Sequence, residues 1–330
     1  MPDANPRLIA GLAGVLLIAV ALAIGLGETS LSFIQYHQAA TDLNSAPAQI
    51  LWFIRAPRAA SAVLVGAALG LAGAVMQGLL RNPLADPGVL GVSAVSALGA
   101  AGVIALGLAG VPWAVEGAAL AGALAAGAIL TVLAARLAEP QTLILFGVAL
   151  SALGGAATAL VFNLSPSPVA TAEVLSWLLG SVANRDWSDV AAATAPAAAG
   201  MAMCLWSARG LRMLTLGEET AALSGLGMGR LRAAAVAGTA LLTGAAVALA
   251  GVIGFVGLAA PHLVRRSVSD DPAQTLIPSA LVGAILLVAA DLAARLIPSS
   301  EELKLGVVTA LFGAPIFALV AWRAARSWRG

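Results

Sequence analysis

Residues Gly66–Gly91 read GAALGLAGAVMQGLLRNPLADPGVLG. The first half is apolar and studded with glycine, too oily for a helix exposed to water. It stops at Arg81-Asn82-Pro83, passes Pro87, and turns apolar again at once. Proline disfavours helix in the residue before it, and a basic residue closing an apolar run marks a membrane face. The stretch is read as a spanning helix that reaches a bilayer surface, turns, and feeds another span. A partial echo lies at Gly244–Pro261, GAAVALAGVIGFVGLAAP. Gly66, Leu71, Ala72, Gly73 and Pro83 pair with Gly244, Leu249, Ala250, Gly251 and Pro261 at one constant offset. Two related helical bundles in one chain follow from it.

Composition agrees. Of 330 residues, 60% are hydrophobic and 10% charged, and the mean hydropathy is +0.97. Soluble domains carry about 25% charged residues. So few charges cannot coat a water-facing surface, whereas lipid needs no such coat. The expectation is a single polytopic, all-α membrane domain over residues 1–330. A net charge of +1 gives no pull toward nucleic acid. Cys204 is alone, so it offers neither an intramolecular disulfide nor a cysteine metal cluster.

A spanning helix needs about 20 apolar residues. Ten segments are assigned: Leu8–Leu26, Ala59–Leu79, Leu90–Leu108, Ala114–Ala135, Leu143–Phe162, Val190–Trp206, Ala233–Gly251, a short Phe255–Val264, Leu276–Leu296 and Leu305–Trp322. The first apolar run exceeds the roughly 7–15 residues of a signal-peptide core, so it is read as a retained helix. Glu28–Gln49 is read as a polar connection. Thr171–Val182 is too short to cross and is read as an interfacial helix, with Trp177 at headgroup depth. With the N-terminus inside, Arg7, Arg81, Arg136, Arg209, Arg212, Arg230, Arg232, Arg265, Arg266 and the arginines of the tail all fall inside. Only Arg55, Arg58, Arg185, Arg295 and Lys304 stay outside. That bias sets both termini in the cytoplasm. The two echoing spans then run in opposite directions, an inverted repeat of helices two to five and seven to ten.

Chemistry-bearing groups are sparse. Glu116, Asp291 and Arg295 lie near span ends, and the span interiors hold almost no ionisable residue. Such groups cost roughly 2.5–3.5 kcal/mol at a helix centre and persist where protons or ions move. Their scarcity argues against a gradient-driven pump. His37 and His262 sit in different segments, and neither HExxH nor GxSxG occurs. No Walker A motif is present, so any ATP hydrolysis belongs to a partner. The largest inside loop, about 207–232, offers that partner a docking site. Thr215-Leu-Gly-Glu218 has the pattern of a capping box. Glu219 and Ala221–Leu223 continue the short helix, and Gly225, Gly227 and Gly229 close it. Outside, Arg55, Arg58 and Arg295 could either snorkel into headgroups or receive an acidic partner.

Several ordered motifs carry a resemblance that spans nearly the whole chain. They are Arg55-Ala-Pro-Arg58, Gly73-Ala-Val-Met-Gln77, Asn82-Pro-Leu-Ala-Asp-Pro87, Leu90-Gly91-Val92, Gly254-Phe-Val-Gly257, Pro261-His-Leu-Val-Arg265 and Thr309-Ala-Leu-Phe-Gly-Ala-Pro315. Together they resemble the FecCD family, permease subunits of ABC importers for iron–siderophores, haem and cobalamin. The resemblance implies a type II ABC importer fold with ten helices per subunit and a homodimer with the path on its axis. It also implies two ATP-binding cassette subunits, which hold ATP and Mg, gripping Thr215–Arg230. A periplasmic substrate-binding protein would dock on Arg55, Arg58 and Arg295 through acidic residues. Gln141 and Thr142 would form the cytoplasmic gate, and helices five and ten would line the path, where Ser151, Thr158 and Asn163 add weak polarity. Asn82, Pro83, Pro87, Pro261 and His262 are expected at helix breaks, His262 without a ligand role. Lys304 stands where relatives usually carry proline. The chain is thus expected to be a non-enzymatic, cofactor-free permease of a bacterial inner membrane. A gradient-driven secondary transporter is the alternative.

Overall fold

A computed structural model describes residues 5–27, 29–136, 140–165, 167–268, 270–297 and 302–327. All regular elements among them are helical. They run α1 Pro6–Gly25, α2 Phe33–Thr41, α3 Ala56–Leu80, α4 Val92–Ala105, α5 Ala114–Arg136, α6 Pro140–Leu164 and α7 Pro168–Leu178. There follow α8 Trp187–Trp206, α9 Ala208–Leu214, α10 Glu218–Leu223, α11 Met228–Ala250, α12 Val256–Arg265, α13 Pro272–Leu296 and α14 Leu305–Ser327.

Seven helices among the described residues are long and apolar enough to cross a membrane. They are α1, α3, α5, α6, α8, α11 and α13; Val92–Ala105 and Leu305–Pro315 are shorter apolar helices. Ten crossings are therefore not reached on length and composition alone. α4 has 14 residues and α12 has 10, about 21 and 15 Å at 1.5 Å per residue. The polar connection expected before the second span is itself largely helical. α2 opens on a capping box between Ser32 and Gln35, and helical backbone runs from Ala46 through a π-turn at Gln49–Arg55 into α3.

α3 and α11 form the centre and are buried on nearly all sides. α3 packs chiefly on α13, α11 chiefly on α5, and α3 and α11 touch each other. The two echoing helices thus have interchanged partners, the pattern two related halves would make. Glycine makes these approaches possible. A Cβ on Gly66 would meet the Gly283 carbonyl oxygen, and one on Gly70 that of Ser279. Lipid supplies no hydrophobic drive between helices, so close backbone packing has to hold them.

The break after α3 differs from its sequence reading. Arg81 closes α3 in a left-handed conformation (φ 49°). The chain then does not stay at a surface. Ala85 and Leu90 are buried, and Asp86 lines the same cavity as Leu69, eleven residues back along α3. The connector therefore folds back alongside the last ~16 Å of helix. Irregular backbone is tolerated at that depth because side chains satisfy it. Asn82 Oδ1 accepts from the Leu84 amide at 2.9 Å, and Asp86 Oδ1 from the Gly88 amide at 2.7 Å.

Pro261 is also corrected: it lies inside α12, with His262 half-buried beside it. The break sits earlier, at residues 251–254, where Gly251 has φ 71°. A proline at position 261 leaves the Gly257 carbonyl without its helical donor. Gln77 Nε2 on α3 reaches that oxygen at 3.5 Å, while Gln77 Oε1 accepts from Arg265 at 2.6 Å. One amide side chain therefore ties α3 to α12 at both ends of the proline turn.

Candidate functional site

Two polar centres stand out, and each draws on elements distant in sequence. The first gathers Arg55, Arg58 and Arg295, the three arginines singled out by sequence. None is a free surface charge. Arg55 and Arg295 are 5% and 7% exposed. Arg55 Nη1 donates to the Gly25 carbonyl at 2.7 Å and Nη2 to that of Thr29. Arg295 Nη2 donates to the Ala23 carbonyl at 3.1 Å. These guanidiniums sit at the C-terminal end of α1, where helix carbonyls lack donors and the dipole favours cations.

Arg58 is held from both edges. Its Nε and Nη2 donate to Asp291 Oδ1 at 2.9 and 2.8 Å. Its Nη1 donates to Glu302 Oε2 at 3.1 Å, and its Nη2 also pairs with Glu302 Oε1. Asp291 Oδ2 pairs with Arg295 at 3.1 Å. Asp291 is 1% exposed, Glu302 26%. A nearly buried carboxylate between two guanidiniums thus joins α3, α13 and α1, and Glu302 lies over it toward solvent. Sequence reading missed Asp291 and Glu302 as partners. The available signal was that Arg58, Asp291, Arg295 and Glu302 all fall near span ends on one side. Glu116 on α5 follows the same rule, pairing with Arg185 at 2.9 Å.

The second centre is the loop of α9 and α10. The capping box predicted at Thr215–Glu218 does not form. Thr215 Oγ1 instead donates back to the Arg212 carbonyl at 2.7 Å, because α9 runs up to Leu214. α10 starts after Gly217, whose φ of 100° suits glycine. Glu218 points across to α11, where Arg232 Nη2 donates to its Oε2 at 2.7 Å. Arg212 pairs with Asp271, the N-cap of α13, at 2.8 Å. Gly225, with φ 84°, closes α10; Gly227 caps α11 and Gly229 lies inside it. The loop is thus shorter than sequence suggested. It is clamped to both α11 and α13, yet it presents Glu219 and Leu223 outward, Leu223 at 89% exposure.

The remaining expected positions are separate. Gln141 and Thr142 open α6, and the turn before them, 137–139, lies outside the described residues. On α6, Thr158 and Asn163 bond back to the Gly154 and Ala159 carbonyls of their own helix. Asn82, Pro83 and Pro87 build the buried connector, which frames a 260 Å³ cavity with Ser93, Ser151, Gly254 and Gly257.

Comparison with known proteins places this architecture. Residues 15–323 match the model of the FecCD transport family. The vitamin B12 import system permease protein BtuC of Vibrio cholerae is 41% identical over 82% of this chain and 81% of its own. The probable siderophore transport system permease protein YfiZ of Bacillus subtilis is 36% identical, covering 94% of each. The hemin transport system permease protein HmuU of Yersinia pestis is 37% identical over 95% of each. Among solved structures, a chain described as an inward-facing metal-chelate type ABC transporter superposes with a TM-score of 0.86. It is 29% identical and covers 97% of this chain and 100% of that one. The chain is a multi-pass membrane protein and belongs to the FecCD transport family.

Proposed function

We propose that this chain is the membrane-spanning subunit of a type II ABC importer, moving a metal chelate from periplasm to cytoplasm. Iron–siderophore and haem lead as cargo, with cobalamin behind them. A homodimer of the chain would enclose the path. Exposed apolar residues on α6 and α14, such as Leu145, Leu153, Leu311 and Phe312, suit a contact with a second copy. Two ATP-binding cassette subunits would grip α9–α10 from the cytoplasm, and a binding protein would dock outside at Arg55, Arg58 and Arg295. Gln141 and Thr142 would close the inner mouth.

The observation that carries this reading is the mounting of α10. It is a short helix with an exposed leucine at its end, tied by Glu218 to Arg232 of α11, while Arg212 on the preceding α9 ties the same loop to Asp271 at the start of α13. A force applied to α10 would reach α11 directly and α13 through α9, two helices of the second half. The chain itself then does no covalent chemistry and only rocks about its core.

The test is co-purification. Leu223→Asp is expected to leave the permease folded, since the side chain is 89% exposed. It should cut recovery of the partner ATPase about tenfold, as loss of an apolar anchor does. Unchanged recovery would remove α10 as the docking element. Glu218→Ala should leave the ATPase bound but uncouple it. ATP turnover continues while uptake falls, on the order of tenfold, because Arg232 no longer ties α10 to α11.

A further inference from the structure

We infer that Glu302 is an internal stand-in for the carboxylate of the docking partner, and that docking displaces it from Arg58. The inference deepens the docking role proposed for the arginine cluster and rests on that reading.

The geometry of Arg58 is the starting point. A guanidinium offers two edges that fit a carboxylate side-on. Both edges of Arg58 are filled, one by Asp291 and one by Glu302. An acidic side chain arriving from outside can engage Arg58 only by taking one of these places. The two occupants are unequal. Asp291 is 1% exposed and shared with Arg295, so leaving would strand two buried cations. Glu302 is 26% exposed and lies at the solvent edge. Glu302 therefore leaves. The exchange swaps one carboxylate for another, so the charge around Arg58 is the same before and after.

What Glu302 holds gives the exchange a consequence. Two residues on, α14 begins, and its first amides are tied elsewhere. Leu305 donates to the Gly180 carbonyl at 3.0 Å and Gly306 to that of Leu179 at 2.9 Å. Ser181 in turn donates to the Ala250 carbonyl at 2.8 Å, at the end of α11. A Cβ on Gly251 would meet the Trp177 carbonyl, so α7 closes directly on the break before α12. Glu302–Lys304 is thus the link between the arginine cluster and the seam where α7, α11 and α14 meet. While Glu302 grips Arg58, the head of α14 is pinned to α3. When a partner's carboxylate takes Arg58, that pin is released. Docking and loosening of the seam become one event.

The experiment uses the assembled transporter in nanodiscs, with a thiol introduced by Lys304→Cys and a water-soluble maleimide as probe. Cys204 is buried and gives little background. Without any partner, Glu302→Gln should raise the labelling rate about fivefold, and Glu302→Asp should fall between it and the parent. Adding the binding protein should raise the rate of the parent to the level of Glu302→Gln and leave Glu302→Gln itself unchanged. The same variant should bind the binding protein about fivefold tighter, because no internal carboxylate competes. Equal labelling of the parent and Glu302→Gln overturns the latch and leaves docking untouched. A binding protein with the same affinity for the Arg58→Met complex overturns the docking reading, and the exchange with it.

Discussion

Replacing Gly73 by valine is expected to abolish recovery of folded transporter, and Gly73→Ala to lower its thermal midpoint steeply. A Cβ at position 73 would run into the Gly257 carbonyl oxygen and lie 2.6 Å from its carbon. The obstacle is backbone rather than the end of a flexible side chain, so no rotamer change relieves it. α3 and α12 would have to part by more than 1 Å, a rough figure set by ordinary contact distances. That movement also pulls Gln77 off the Gly257 oxygen, which Pro261 has left without a helical donor. Overpacking of this kind costs about 1–3 kcal/mol where side chains can yield, and more where backbone must. Gly102→Ala is the control. Nothing lies within 4 Å of its Cβ position, and alanine is the better helix former by up to about 1 kcal/mol. Thermal unfolding in detergent, followed by size-exclusion chromatography, separates the two. Equal midpoints for Gly73→Ala and the parent would show that the α3–α12 contact is looser than described.

Asp291→Ala should be the most damaging single change among the ionisable residues. Its carboxylate lies between Arg58 and Arg295 at 1% exposure. Removing it leaves two largely buried guanidiniums facing each other, with Glu302 on the far edge of Arg58 as the remaining carboxylate. Breaking a buried pair costs about 3–5 kcal/mol, chiefly through the charge left behind. Glu302→Ala removes an edge partner and should cost about 1 kcal/mol or less. The ordering is the informative quantity. A midpoint drop for Glu302→Ala as large as that for Asp291→Ala would place the weight of the network on the wrong carboxylate.

Much of this architecture was legible in the chain. The apolar spans, the stop at Arg81-Asn82-Pro83 and the echo at Gly244–Pro261 follow from composition and turn chemistry. Helix existence and order came through because a 20-residue apolar run has few alternatives. Depth did not come through. Nothing in NPLADPG says that Asp86 folds back to the level of Leu69, since a proline pair specifies a turn and not where it lies. The arginine cluster was visible as three positive charges, but its anions lie 233 and 244 residues from Arg58. No local period records such a pairing. The capping box at Thr215–Glu218 failed for a local reason. α9 extends to the residue before Thr215, so the hydroxyl serves the end of one helix instead of the start of the next. Pro261 marked a real discontinuity but displaced it, because the break is made by Gly251 and the proline is accommodated by Gln77.

The measurement that bears most directly on the central reading is uptake into proteoliposomes. The chain would be reconstituted with its ATPase and binding-protein partners. A ferric siderophore, haem and cobalamin would be offered separately, with ATP inside and no ion gradient. The account predicts accumulation of one of these chelates that stops when ATP is withheld. It should be lost when Arg55, Arg58 and Arg295 are changed to glutamate. Accumulation that ignores ATP and follows an imposed proton or sodium gradient would contradict it and identify a secondary transporter.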